Sequence, residues 1–134
     1  MRNGIDRVED GWDVRSIRGV GVGEVVVGSV MRLHIGSHGI EVHSPAELTA
    51  GGEACAIHAA GRINLDKVTL LLDQVVAEVH VSDSGALKVR FAGGWRLDVP
   101  VVPEGLGWIV ALRGRHFISP VAGGGVRMSD RRSG

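Results

Sequence analysis

The feature that most restricts this chain is a run of strict alternation. Met31, Leu33 and Ile35 alternate with Arg32 and His34; a turn at Gly36-Ser37-His38-Gly39 follows, and then Ile40 and Val42 alternate with Glu41 and His43. A period of two sends successive side chains to opposite faces of a strand. With Ser37 and His38 as the loop, Ile35 is expected opposite Ile40, and Leu33 opposite Val42. All the apolar residues then share one face, while Arg32, His34, Glu41 and His43 share the other. A half-buried antiparallel hairpin follows. Its apolar face needs a second layer to cover it.

That pattern returns further along. Leu87, Val89 and Phe91 alternate with Lys88 and Arg90; Ala92-Gly93-Gly94 forms a turn; Trp95, Leu97 and Val99 then alternate with Arg96 and Asp98. Each hairpin runs into a proline, Pro45 or Pro100, and each follows a Val-rich segment, Val20 to Val27 or Val75 to Val81. The expectation is an internal repeat, about 19–45 and 74–101, of two three-stranded meanders that bury each other's apolar faces. The fold class is therefore all-β with one short helix, as a β-sandwich or a partly closed barrel. Glycine supports this, with 21 residues that have no collagen-like period and separate short β-branched runs.

The remaining segments are read in the same way. Residues 1–11 are polar and charged and are expected to be frayed. A single domain then spans 12–129, and 130–134 form a disordered tail. Trp12 to Ile17 reads as a short strand, and Gly19 to Gly28 as a strand with a bulge near Gly21 or Gly23. Pro45 to Ala50 reads as a helical turn, and Ala54 to Ala59 as a strand. Asn64 is a suitable N-cap for a helix over Leu65 to Asp73, with Leu65, Val68 and Leu72 on one face. Trp108 to Leu112 and His116 to Ser119 read as two further strands, with a turn at Gly123-Gly124-Gly125.

Charge and cysteine usage narrow the function classes. Fifteen basic residues balance fifteen acidic ones, whereas a nucleic-acid binder ordinarily needs a basic excess. Only the stretch from Arg113 to Arg132 departs from balance, with five Arg against the single acid Asp130. Cys55 is the lone cysteine, which excludes an internal disulfide and fits a reducing compartment. No apolar run approaches the ~20 residues of a membrane helix. The expected location is the cytoplasm, with neither membrane nor nucleic acid as partner.

Three surfaces carry possible chemistry. His34, Glu41 and His43 share the outward face of the first hairpin and are the only metal-ligand pattern. The competing reading is a solvated face with a His34–Glu41 cross-strand pair worth about 0.2–1 kcal/mol. On the second hairpin, Arg90 is expected opposite Arg96, and Lys88 opposite Asp98. Two facing arginines repel, and an acidic partner or a bound anion would relieve them. Trp108 follows a Gly-rich loop and is a candidate anchor if exposed. Phe91, Trp95 and Trp108 could instead line an apolar pocket. The chain has no G-x-G-x-x-G, G-x-S-x-G or H-E-x-x-H motif, and Cys55 sits in an apolar setting that leaves a thiol inert. No catalytic residue and no cofactor is assigned.

Three stretches carry a resemblance. They are Leu33 to Val42; Leu71-Leu72-Asp73-Gln74-Val75 through Leu87 to Leu97; and Trp108 with the later Ser119-Pro120-Val121-Ala122-Gly123-Gly124 turn. Together, over about residues 19–129, the chain resembles a family of small bacterial proteins, common in actinobacteria and defined as a domain of unknown function. The family pattern has an aromatic and an acidic residue shortly before the tryptophan. Gly105-Leu106-Gly107 stand there in this chain, so no role for that pair is carried over. Domains of this kind are often immunity or accessory proteins, an expectation by analogy only. The functional expectation is thus a non-enzymatic protein-binding module that uses Lys88, Arg90, Arg96, Asp98 and Trp108. The alternative is a binder of a small apolar ligand at Phe91, Trp95 and Trp108, and the third reading is an enzyme whose site has no recognisable motif.

Overall fold

A computed structural model describes residues 4–103, 105–113, 115–122 and 124–130. Its strands are β1 (Ile5–Val8), β2 (Gly11–Val14), β3 (Val22–Val27), β4 (Met31–Ile35), β5 (His38–Val42), β6 (Ala46–Ala50) and β7 (Glu53–Ile57). The chain continues with β8 (Val76–Ser82), β9 (Leu87–Phe91), β10 (Arg96–Val99), β11 (Trp108–Leu112), β12 (His116–Pro120) and β13 (Val126–Asp130). One α-helical turn, α1 (Leu65–Val68), and 3-10 turns at Arg15–Ile17 and Thr69–Leu71 interrupt them. Seven strands form a sheet in the order β1-β2-β8-β9-β10-β6-β7, and six form a second in the order β13-β12-β11-β5-β4-β3. Every strand pairing among the described residues is antiparallel, and both sheets keep free edges, so the fold is sandwich-like and not a closed barrel.

Both alternating hairpins are present, one in each sheet. Met31, Leu33, Ile35, Ile40 and Val42 are buried from one side, and Leu87, Val89, Phe91, Leu97 and Val99 from the other. Each fully buried Leu, Ile or Val side chain contributes about 1.5–3 kcal/mol, enough to hold the two layers together. The meander β3-β4-β5 has a register shift between Val22 and Glu24, at Gly23, where a bulge was expected. The meander β8-β9-β10 has one between Val76 and Glu78.

After β5 the chain crosses to the seven-stranded sheet, where β6 pairs with β10. After β10 it crosses back, and β11 pairs with β5. The segments that precede β3 and β8 join the sheets at one corner: Val22 N donates to Gln74 O at 2.9 Å and Val76 N to Val20 O at 2.9 Å.

Several expectations need correction. In the first hairpin the loop is Gly36-Ser37, so Ile35 faces His38, Leu33 faces Ile40 and Met31 faces Val42. The expected register is off by two residues. Gly36 has φ +64°, which suits the first loop position of a two-residue type II′ hairpin. A slip of two preserves the faces, so the buried set is unchanged. Ile5–Val8, expected to be frayed, pair with β2 instead, and Trp12 to Ile17 splits into β2 and a 3-10 turn. Ala46–Ala50 form a strand and not a helical turn, because pairing with β10 and β7 outweighs local preference.

The helix is shorter than expected. Asn64 lies in the left-handed region at φ +51° without a side-chain capping bond, and its Nδ2 donates to Ala56 O at 2.6 Å. The tightening to a 3-10 turn after Val68 buries Leu71 and leaves Leu72 exposed, since spacing falls from four residues to three. Of the Gly123–Gly125 turn and the 130–134 tail, Gly123 and residues 131–134 lie outside the described residues, and Asp130 ends β13. Among the described residues, no helix is long and apolar enough to cross a membrane.

Candidate functional site

The outward face of β8, β9 and β10 is set by their inward residues. Val79, Val81, Leu87, Val89, Leu97 and Val99 are buried, so alternation sends Glu78, His80, Lys88, Arg90, Arg96 and Asp98 outward. The register arranges them in two rows. One runs His80, Lys88, Asp98 and Glu47 across four strands. Its neighbour runs Glu78, Arg90, Arg96 and Thr49. The expected oppositions of Arg90 with Arg96 and of Lys88 with Asp98 are both present.

What relieves the two facing arginines lies within the molecule. Arg90 Nη1 donates to Glu78 Oε1 at 3.1 Å, and Arg96 Nε donates to Asp98 Oδ2 at 2.7 Å. Both pairs are solvent-exposed, and such pairs contribute about 0–1 kcal/mol, so exchanging either carboxylate for another costs little. Lys88 has no ion pair within 4.0 Å among the described residues. These residues border an open cleft of about 460 Å³, with Asp10 and His80 on one side and Phe91 and Trp95 on the other. His80 Nε2 stands 3.5 Å from Asp10 Oδ1. Trp95 is half-buried against the core, with part of its ring open to the cleft.

Trp108 is not on this surface. Its side chain is 0 % exposed, and its indole N–H donates to the buried Gly85 carbonyl at 2.9 Å. It is a core residue that ties the β8–β9 turn to β11. Phe91 and Trp95 stand at the opposite end of β9 from that turn, five residues of strand away. Phe91, Trp95 and Trp108 therefore do not line one pocket. A small void bordered by Met31, Val42, Ser44 and Ile57 has a volume of about 10 Å³, room for at most one water.

The histidine pattern comes apart in the same way. Because of the two-residue register correction, Arg32, and not His34, faces Glu41. Glu41 is shared between Arg32 Nε at 3.2 Å and His43 Nε2 at 2.9 Å. His34 Nε2 approaches Glu24 Oε1 at 3.9 Å instead. Among the described residues, no group of three or more His, Cys, Asp or Glu side chains is placed to hold a metal ion.

Asp10, Glu78 and His80 were not singled out by sequence. Glu78 and His80 alternate with Val79 and Val81, which is a usable signal once β8 is known to neighbour β9. Asp10 reaches the cleft only through the β2–β8 pairing, which no local pattern announces.

A family model described as a family of unknown function (DUF6188) matches residues 13–130. No curated protein and no solved structure matches the chain. The chain belongs to the DUF6188 family.

Proposed function

We propose, from membership of a family that carries no assigned activity, that this chain is a non-enzymatic protein-binding module. Its contact face is the outer surface of β8-β9-β10, and its partner presents an acidic segment. The observation that carries the reading is the convergence of Lys88, Arg90, Arg96 and the half-buried Trp95 on one cleft. Arginine and tryptophan are the residue types that dominate binding energy at interfaces. Lys88 forms no ion pair among the described residues, and the weak exposed pairs of Arg90 and Arg96 can be traded for a partner's carboxylates. Asp98 then serves to orient Arg96 and not to touch the partner.

The reading extends to origin and setting. The matching meanders, each with a bulge in its first strand pair, support descent by internal duplication. The balanced charge and lone thiol suit a cytoplasmic, bacterial protein of the immunity or accessory type.

The test compares captures from lysate by the wild-type protein and by Arg90→Glu/Arg96→Glu. A partner retained by wild type and released by the charge reversal is expected, with the two proteins melting at the same temperature because both side chains are exposed. Identical captures, or no specific capture by wild type, would overturn the reading.

A further inference from the structure

A second cleft, of about 370 Å³, lies away from the proposed contact face. It forms where three loops meet: the 3-10 turn after β2 brings Arg15 and Ser16, the start of β5 brings His38, and the β11–β12 turn brings Arg113, Arg115 and His116. In a chain with fifteen basic and fifteen acidic residues, none of the described residues lining this cleft is acidic. The nearest described carboxylate in the contacts of the lining residues is Asp6. Arg15 engages it through Nε–Oδ2 at 2.9 Å and Nη2–Oδ1 at 3.4 Å, which commits Arg15. Arg113 and Arg115 are exposed and form no ion pair among the described residues.

The turn that carries them is held in an uncommon conformation. Arg113 has φ +55°, a left-handed geometry that non-glycine residues seldom adopt because of backbone strain. In that geometry its backbone N–H donates to His38 Nδ1 at 3.2 Å. The bond makes Nδ1 an acceptor and leaves the neutral ring's proton on Nε2, so the imidazole keeps one free donor. Burial, and then the Arg113 charge, hold the His38 pKa below its usual value of 6.5. His38 is thus neutral at pH 7, and an arriving anion would oppose both effects.

We propose that this cleft binds a phosphate group, through the guanidinium groups of Arg113 and Arg115 and the imidazole of His38. Guanidinium forks match phosphate oxygens in a bidentate manner, and two of them across one turn suit a dianion better than a single carboxylate. The source is either free phosphate or a small phosphate monoester.

The experiment titrates the full chain with inorganic phosphate and separately with phenyl phosphate, at constant ionic strength set with chloride. The readouts are the NMR resonances of the His38 and His116 rings and the Arg113 amide. Saturable shifts are expected in the wild type. They should weaken by about tenfold or more in Arg113→Asn/Arg115→Gln, the loss of one charge-assisted hydrogen bond or more. Asparagine tolerates the left-handed φ at 113, and an unchanged thermal midpoint shows that the variant is folded. Tighter binding of phenyl phosphate assigns the site to a monoester, and equal binding assigns it to free phosphate. No saturable shift with either probe, or equal affinity in the double variant, would refute the site.

Discussion

Replacing Trp108 by Phe isolates one bond at the join between the two sheets. Phenylalanine keeps most of the buried apolar contact but has no N–H, so the Gly85 carbonyl, now bonded at 2.9 Å, loses its donor inside the protein. A buried polar group left unsatisfied costs about 1–3 kcal/mol, and the smaller ring adds a cavity contribution on top. The expected loss is about 2–3 kcal/mol. A domain of this size loses about 4 °C of melting temperature per kcal/mol, so the midpoint should fall by about 8–12 °C. Trp108→Ala removes the ring as well and should cost about 3–5 kcal/mol or more. Urea titration followed by circular dichroism measures both, with thermal melts as a second readout. If Trp108→Phe is within about 0.5 kcal/mol of wild type, the range of an ordinary surface change, the bond contributes nothing and Trp108 is not the tie between β11 and the β8–β9 turn.

Gly85 should be intolerant for two reasons that Gly94 shares only in part. Both have positive φ, +104° and +93°, but a Cβ at Gly85 would meet Gly125 O at 2.8 Å, while Gly94 has open space. Gly85→Ala should therefore lower the urea midpoint clearly more than Gly94→Ala, and equal losses would remove the close-approach argument. The Arg7 guanidinium bonds the Asp83 carboxylate and holds it below the usual 3.8. A carboxylate with a depressed folded-state pKa adds stability that is complete above its unfolded value and fades as pH falls through the folded one. Asp83→Asn should therefore be less stable than wild type at neutral pH and equal to it in strong acid. A difference that stays constant through the acid limb would sink that linkage.

The legible parts were those written in short-range patterns. Lys88 and Arg90 could be placed opposite Asp98 and Arg96 because the three-residue Ala92-Gly93-Gly94 loop fixes the register within a dozen residues. The first hairpin was legible in its faces but not its register. A two-residue slip keeps Leu33 and Ile40 inward, so hydrophobic pattern cannot detect it, and only the φ +64° of Gly36 decides it. That slip separated His34 from Glu41. Trp108 was ambiguous because alternation marks its side as inward only once β11 is known to lie between β5 and β12.

Alternation, turn glycines and balanced charge by themselves determined an all-β chain with two half-buried hairpins and no recognisable catalytic motif. Each of these is a property of neighbouring residues, where the period of two acts directly. Tertiary structure alone decided that β6 crosses to β10, that β11 crosses to β5, and that Ile5–Val8 become an edge strand. It also brought Asp10 to Lys88, and Arg113 to His38. Such contacts join segments far apart in the chain. Their choice depends on how two apolar sheet faces cover each other, and no local stretch of sequence encodes that.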